Sequence, residues 1–194
     1  MKKIPTLFIR KFHGKGKVTI LNEVMPGCEW VLQGEGIATR KWDGSCCAVI
    51  DGKFWKRYDA KKGKPIPENA ILCQPKEDAI TGHLPCWIPV NNKSEDKWFR
   101  VALENAGGLE SLVDGTYEAV GPHFNSNHEN YGIDTLIKHG KGFINVERTF
   151  EGIKAFLERS PLEGIVFHRL NGEMCKIKRS DFGLEWPVKQ TKII

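Results

Sequence analysis

Short apolar runs broken by turn residues dominate this chain, and helical periodicity is confined to two stretches. "SCCAVI" (45–50) and "KFWKRY" (53–58) are separated by Asp51-Gly52. Asp-Gly suits a two-residue type I′ turn, because both central residues there need positive φ. The pattern predicts a hairpin in which Ile50 faces Lys53 and, counting back, Cys46 faces Arg57. "EGIVFHRL" and "EMCKIKRS" flank Asn171-Gly172 in the same way. A two-residue turn there pairs Leu170 with Glu173, Phe167 with Lys176, Ile165 with Lys178 and Glu163 with Ser180. Directly paired residues share a sheet face, and so do alternate residues. Glu163, Lys176 and Lys178 are therefore expected on one face, with Val166, His168, Cys175 and Ile177 on the other. "GTYEAVG" (115–121) reads as a further short strand, with Tyr117 and Glu118 facing opposite ways.

Ser94 is expected to cap a helix over "EDKWFRVALENA", which has acidic residues in its first turn and Gly107-Gly108 after its end. A second helix is expected after Thr149, through "FEGIKAFLER" to Ser160-Pro161. From Lys61 to Val90, prolines and glycines recur every few residues, which predicts loops with short strands. Two helices among many short strands make an α+β fold with mostly antiparallel sheet. No repeat or long linker divides the chain, so a single domain over residues 1–194 is expected.

Composition narrows this further. The chain has 194 residues, 40% hydrophobic and 27% charged, which describes a globular chain with its own core. A formal net charge of +5 suits a polyanionic partner without identifying one. Of the six cysteines, Cys46 and Cys47 are adjacent, while Cys28, Cys73, Cys86 and Cys175 are scattered with no C-x-x-C. Cys73, His83 and Cys86 match no zinc-finger spacing. Buried free thiols are expected, and with them a reducing cytoplasmic compartment. The N-terminus, "MKKIPTLFIRKFHGKGK", is basic but lacks a long apolar run, and no stretch has the length to span a bilayer. Neither a membrane nor an obligate protein partner is expected.

Candidate chemistry centres on Lys41, in Lys-Trp-Asp-Gly. Taken alone this is a surface lysine before a turn. An ordered set follows it: Arg57 on the first hairpin, Glu118 in "GTYEAVG", Glu163 opening "EGIVF", and Lys176 and Lys178 in "KIK". Singly, Glu163 and Lys178 read as an exposed cross-strand ion pair, worth little, and Glu118 as a solvent-facing strand residue. Together and in this order, "KWDG", "YEAVG", "EGIVF" and "KIK" resemble the signature of the covalent nucleotidyltransferases, shared by ATP-dependent ligases and mRNA capping enzymes. "ATRKWDGSCC", "YEAVGPHFNSNHENYG" and "EGIVFHRLNGEMCKIKRSDFGLEWP" are similar to the small stand-alone 5′-to-3′ RNA ligases of the vertebrate type and their bacterial and viral relatives.

The resemblance implies an α+β nucleotidyltransferase domain, ATP-grasp-like, with mainly antiparallel sheets and flanking helices. It implies ATP-dependent joining of 5′-phosphate and 3′-hydroxyl RNA ends through a lysyl-AMP on Lys41. Lys176, Lys178 and a bound Mg²⁺ or Mn²⁺ would favour the neutral lysine and hold the α-phosphate. Glu163, and with it Glu118, would support the metal through hard oxygen atoms. Arg57 and Glu118 would contact the ribose or its neighbouring phosphate, and Thr39 and Arg40 would lie beside the nucleotide. Arg40 stands where related ligases often have an acidic residue. Asp43 would fix the loop or a metal-bound water, and Gly44 would let the backbone turn tightly. Phe143 in "KGFINV" is the expected base-stacking aromatic, with His139 its rival. His123, Asn125 and His128 would touch substrate or merely make the loop polar, and Phe182 and Trp186 read as packing residues. The superfamily's DNA ligases and capping enzymes carry an oligonucleotide-binding barrel after "KIK"; sixteen residues follow Lys178 here, so no barrel is expected. A minimal DNA nick ligase, a GTP-using capping-type transferase and a non-catalytic nucleic-acid-binding module remain the alternatives.

Overall fold

The computed structural model describes residues 1–14 and 18–188. It is α+β with antiparallel sheets and few helices. The strands are β1 (Phe8–Phe12), β2 (Val18–Val24), β3 (Ile37–Lys41), β4 (Ser45–Ile50), β5 (Lys53–Ala60), β6 (Ile71–Leu72), β7 (Leu84–Pro89), β8 (Gly115–Val120), β9 (Thr135–Lys138), β10 (Phe143–Ile144), β11 (Gly164–His168) and β12 (Met174–Lys178). The helices are α1 (Glu29–Leu32), α2 (Lys97–Asn105) and α3 (Phe150–Arg159). No helix of the described residues is long and apolar enough to cross a membrane.

The chain forms two compact units. One comprises Met1–Lys3 and Asp43–His139 and holds a six-stranded sheet, ordered β6-β7-β5-β4-β8-β9. Cys47, Val49, Phe54, Tyr117, Ala119 and Leu136 turn one face of it into a core against Ala102 of α2. Asp51 and Gly52 both have positive φ, and Ile50 pairs with Lys53, as the Asp-Gly pair predicts. The ladder ends at Cys47–Lys56, one pair short of Cys46–Arg57; beyond it Cys46 pairs with Glu118 of β8 and Arg57 with Trp87 of β7.

α2 begins later than expected. Ser94–Asp96 form a 3₁₀ turn, Ser94 makes no capping bond, and Asp96 is the N-cap residue. Asp96 is fully buried, ion-paired with Lys56, and accepts the Asn91 amide at 2.9 Å. A buried carboxylate with these partners outweighs the local preference of Ser94.

The other unit comprises Ile4–Trp42 and Gly140–Ile194. It holds the β1-β2 hairpin and a four-stranded sheet ordered β10-β3-β11-β12. Ala38, Ile165, Phe167, Cys175 and Ile177 form the buried face of that sheet, over Ile153 and Leu157 of α3. α3 starts as expected: the Thr149 hydroxyl accepts the Gly152 amide at 3.0 Å. Phe182 packs edge-on against Phe8 and Phe150, a packing role.

Two expectations fail in this unit. The β11–β12 register differs by one residue: Phe167 pairs with Cys175, Val166 with Lys176 and Gly164 with Lys178. The connection spans Arg169–Glu173, closed by the Arg169 amide on the Glu173 carbonyl at 2.9 Å, and so is longer than two residues. Val166 and His168 therefore share the face of Lys176 and Lys178, while Cys175 and Ile177 join Ile165 and Phe167 in the core. One residue of slip exchanges faces, and burial of the four apolar side chains selects the observed register. The second correction concerns thiols. Cys28 and Cys175, 147 residues apart, are joined in a disulfide. Cys46, Cys47, Cys73 and Cys86 are free, as expected.

Candidate active site

In the four-stranded sheet, antiparallel pairing decides which side chains meet. Lys41 pairs with Gly164, which pairs with Lys178; Thr39 pairs with Val166, which pairs with Lys176; Phe143 pairs with Thr39. Paired residues share a face. Lys41, Thr39, Phe143, Lys176 and Lys178 thus lie on the face opposite the core. Arg40 pairs with Ile165, so alternation turns it from Lys41, and its guanidinium lies 4.1 Å over the Trp42 ring.

Glu163 immediately precedes β11 and is 8% exposed. Its Oε2 accepts a charged hydrogen bond from Lys41 Nζ, and its Oε1 lies 3.9 Å from Lys178 Nζ. Lys41 Nζ also reaches the Trp42 carbonyl at 3.5 Å. Burial, reinforced by the charges of Lys41, Lys178 and Arg10, pushes the Lys176 ammonium down to about 8. One buried carboxylate thus stands among three lysines, and the surplus positive charge suits an anion.

Residues that the sequence reading missed support this group. Asp181 accepts the Lys178 backbone amide at 2.8 Å and Arg10 Nη2 at 2.6 Å, which fixes the end of β12. Thr39 is fully buried, and its hydroxyl lies 2.9 Å from His168 Nε2. Asp181 was visible as part of "RSDFG", but the pairing with Arg10 spans 171 positions and leaves no local pattern. Phe143 is 73% exposed, an aromatic with its face largely unpacked.

The remaining candidates belong to the six-stranded unit. Glu118 is 9% exposed; its Oε1 accepts the Gly44 amide at 3.1 Å, and its Oε2 lies 2.9 Å from His139 Nε2. Both ring nitrogens of His139 are engaged, Nδ1 with the Thr116 hydroxyl at 2.9 Å. Asp43 is clasped by the loop after β8. Its carboxylate accepts Asn125 Nδ2 at 2.9 Å and lies 2.7 Å from His128 Nδ1, and its amide donates to Glu129 Oε1 at 2.8 Å. Asn125, Ser126, Asn127 and Asn130 all have positive φ, so this loop holds a costly backbone path. His123 instead stacks on Trp98 and pairs with Asp134. Arg57 donates to Asp59 at 2.7 Å and to the Met1 carbonyl at 2.8 Å.

Gly44 carries a correction. Its φ is not positive, so no special turn demands glycine there. A Cβ at this position would lie 2.1 Å from the Ala119 carbonyl oxygen, so the need is for close approach of two strands.

The same residues can be compared with known proteins. The family model for RNA ligase 1 matches residues 100–194. RNA ligase 1 of Pongo abelii is 28% identical, over 80% of this chain and 70% of that protein. RNA ligase 1 of Rattus norvegicus is 26% identical with the same coverage. RNA ligase 1 of Danio rerio is 26% identical over 72% of this chain and 50% of that protein. The matched region takes in Glu118, Glu163, Lys176 and Lys178. In sequence the chain is similar to the RNA ligase 1 proteins.

Proposed function

We propose that this chain is an ATP-dependent RNA ligase, a nucleotidyltransferase that works through an adenylated Lys41. The observation that carries this reading is the gathering of Lys41, Lys176 and Lys178 around Glu163 on one sheet face. An amine attacks only without its extra proton, and crowding three ammonium groups around one carboxylate favours losing one. Lys41 Nζ then attacks the α-phosphorus of ATP; an N–P bond forms as the bond to pyrophosphate breaks. Lys176 and Lys178 balance the charge that develops on the phosphoryl oxygens. An RNA 5′-phosphate oxygen next displaces Lys41, breaking the N–P bond and giving an RNA 5′-adenylate. The 3′-hydroxyl of a second RNA end attacks that 5′-phosphate, and AMP leaves.

Thr39 and Phe143 share the face of Lys41, and the exposed Phe143 ring supports a base-stacking role. Arg57, Glu118, Asp43 and Gly44 carry the ribose and phosphate contacts in this reading. The donor set fits a hard divalent cation: Glu163 offers a buried carboxylate, and substrate phosphates complete such sites. Glu163 would hold Mg²⁺ or Mn²⁺, which neutralises phosphate charge when bound. The choice of RNA rests on the similarity to proteins named RNA ligase 1; the +5 charge supports a polyanionic substrate and a salt-sensitive affinity.

The test is covalent. With ATP labelled in its α-phosphate, the protein should gain one acid-labile AMP, lost in Lys41→Ala and absent with GTP. An adduct that survives Lys41→Ala would refute the nucleophile. Matched all-RNA and all-DNA nicked duplexes then test the polymer, since the 2′-hydroxyl is what separates them. Equal sealing of both would move the reading to a minimal DNA ligase.

A further inference from the structure

Cys46, Glu118 and His139 come together on the six-stranded sheet by register. Cys46 on β4 pairs directly with Glu118 on β8. His139 follows β9, and its amide bonds to the Thr116 carbonyl at 3.0 Å. The thiol sulfur, a carboxylate oxygen and an imidazole nitrogen all lie within 4.8 Å of one another. Tetrahedral zinc, with bonds of about 2.0–2.3 Å, places its ligand atoms about 3–4 Å apart. The three groups stand close to that spacing without a change of strand.

We propose that Cys46, Glu118 and His139 form a site for a thiolate-accepting divalent ion, Zn²⁺ in the first instance, with a fourth position open to water. The site shares Glu118 with the ribose contact of the ligase reading, and metal binding reads it apart from ligation. A hard ion such as Mg²⁺ seeks oxygen donors and disfavours sulfur, so this is not the ion expected at Glu163. The surroundings orient two of the three ligands, His139 and Glu118. Thr116 Oγ1 lies 2.9 Å from His139 Nδ1, so the hydroxyl can accept that ring N–H and leave Nε2 to bind metal. The Gly44 amide donates to Glu118 Oε1 and orients the carboxylate, with Oε2 on the side of the histidine. On binding, Zn²⁺ displaces the Cys46 thiol proton to solvent, a Zn–S bond replaces S–H, and the metal enters between His139 Nε2 and Glu118 Oε2. No oxidant or reductant takes part.

The sequence conceals such a site. Its ligands sit at 46, 118 and 139, and no short spacing links them; only the β4–β8 pairing and the end of β9 do.

The experiment is a Co²⁺ titration of the chelator-stripped whole protein under anaerobic conditions, followed by displacement with Zn²⁺. One equivalent of Co²⁺ should bring a thiolate-to-cobalt charge-transfer band in the near ultraviolet and visible bands of a four-coordinate ion. Zn²⁺ should bleach them, and excess Mg²⁺ should not. Cys46→Ser should abolish the charge-transfer band, while Cys73→Ser and Cys86→Ser keep it. Thr116→Val should weaken binding roughly 10–100-fold by freeing the imidazole. Zinc-edge X-ray absorption on the wild type needs no variant, and should fit one sulfur at about 2.3 Å with nitrogen and oxygen at about 2.0–2.2 Å. A band that persists in Cys46→Ser, or a shell with no sulfur or with more than one, overturns the assignment.

Discussion

In the four-stranded sheet Glu163 is met by charged amines, Lys41 and Lys178, with Lys176 close by. In the six-stranded sheet Glu118 is met by a backbone amide and an imidazole. Both carboxylates are buried, and both stand beside a glycine that lets strands approach. The first group carries surplus charge with few fixed directions, which suits binding and moving an anion. The second fixes direction through hydrogen bonds, which suits holding a ligand in a set orientation.

Exchanging each carboxylate for its amide breaks this comparison most directly. Glu163→Gln keeps the shape but leaves lysines without their counter-ion, and adenylate formation should fall about 10²-fold or more. Glu118→Gln keeps an oxygen for the Gly44 amide, and the loss should be roughly tenfold or less. Single-turnover labelling of Lys41 with ATP measures both. Equal losses would show that charge does not distinguish the two carboxylates.

The glycines sharpen the same contrast at the level of the backbone. A Cβ on Gly44 would lie 2.1 Å from the Ala119 oxygen, and one on Gly164 would lie 2.2 Å from the Ile177 oxygen. Gly44→Ala and Gly164→Ala should each cost about 1–3 kcal/mol, as overpacked sites do. Denaturant unfolding reads this. Stability unchanged in either variant would mean that the strand pair yields without cost.

Much of this layout was legible in the chain, and the failures share a cause. Asp51-Gly52 and the Thr149 cap act through neighbours a few residues away, so local chemistry announced them. Motif order put Lys41, Glu163 and Lys178 in one set, and the structure brings their side chains together, with Glu163 reaching Lys41 across 122 positions. The β11–β12 register was misread because Asn171-Gly172 suggested a two-residue turn, while burial of Ile165, Phe167, Cys175 and Ile177 chose another pairing. The Cys28–Cys175 bond and the Arg10–Asp181 pair were invisible, since nothing local marks either. The start of α2 gave way for the same reason, with Asp96 rather than Ser94 satisfying a buried demand.

Lys176 tests whether the surplus charge costs stability. Its ammonium is pushed down to about 8 from an ordinary 10.5, chiefly by burial. Between those values the unfolded chain binds the proton and the folded chain does not, so stability from this group rises with pH. Below about 8 both states are protonated and the full penalty is present; above about 10.5 it is gone. Lys176→Met should therefore melt higher than the wild type at pH 7, with the gain shrinking as pH climbs through that window. The same variant should form less lysyl-AMP. A melting difference that stays flat from pH 7 to pH 10.5 would mean that the lysine is not held against its charge.

The smallest effect belongs to Phe143, and it bears on which aromatic meets the base. Its ring is 73% exposed on the face of Lys41, so folding gains little from it. His139, the rival, has both ring nitrogens bound in its own sheet, which fixes its orientation for hydrogen bonding. Leucine retains an apolar surface but loses the flat ring, whose stacking beyond area burial is worth about 0.5–1.5 kcal/mol. Phe143→Leu should thus weaken ATP binding roughly two- to twelvefold and leave the melting temperature where it was. Once ATP saturates the variant, Lys41 should be labelled at the wild-type rate, because the ring touches the base and not the reacting phosphorus. A fall in the saturated rate would place Phe143 in the chemistry of Lys41. Unchanged ATP affinity would return the stacking role to another aromatic.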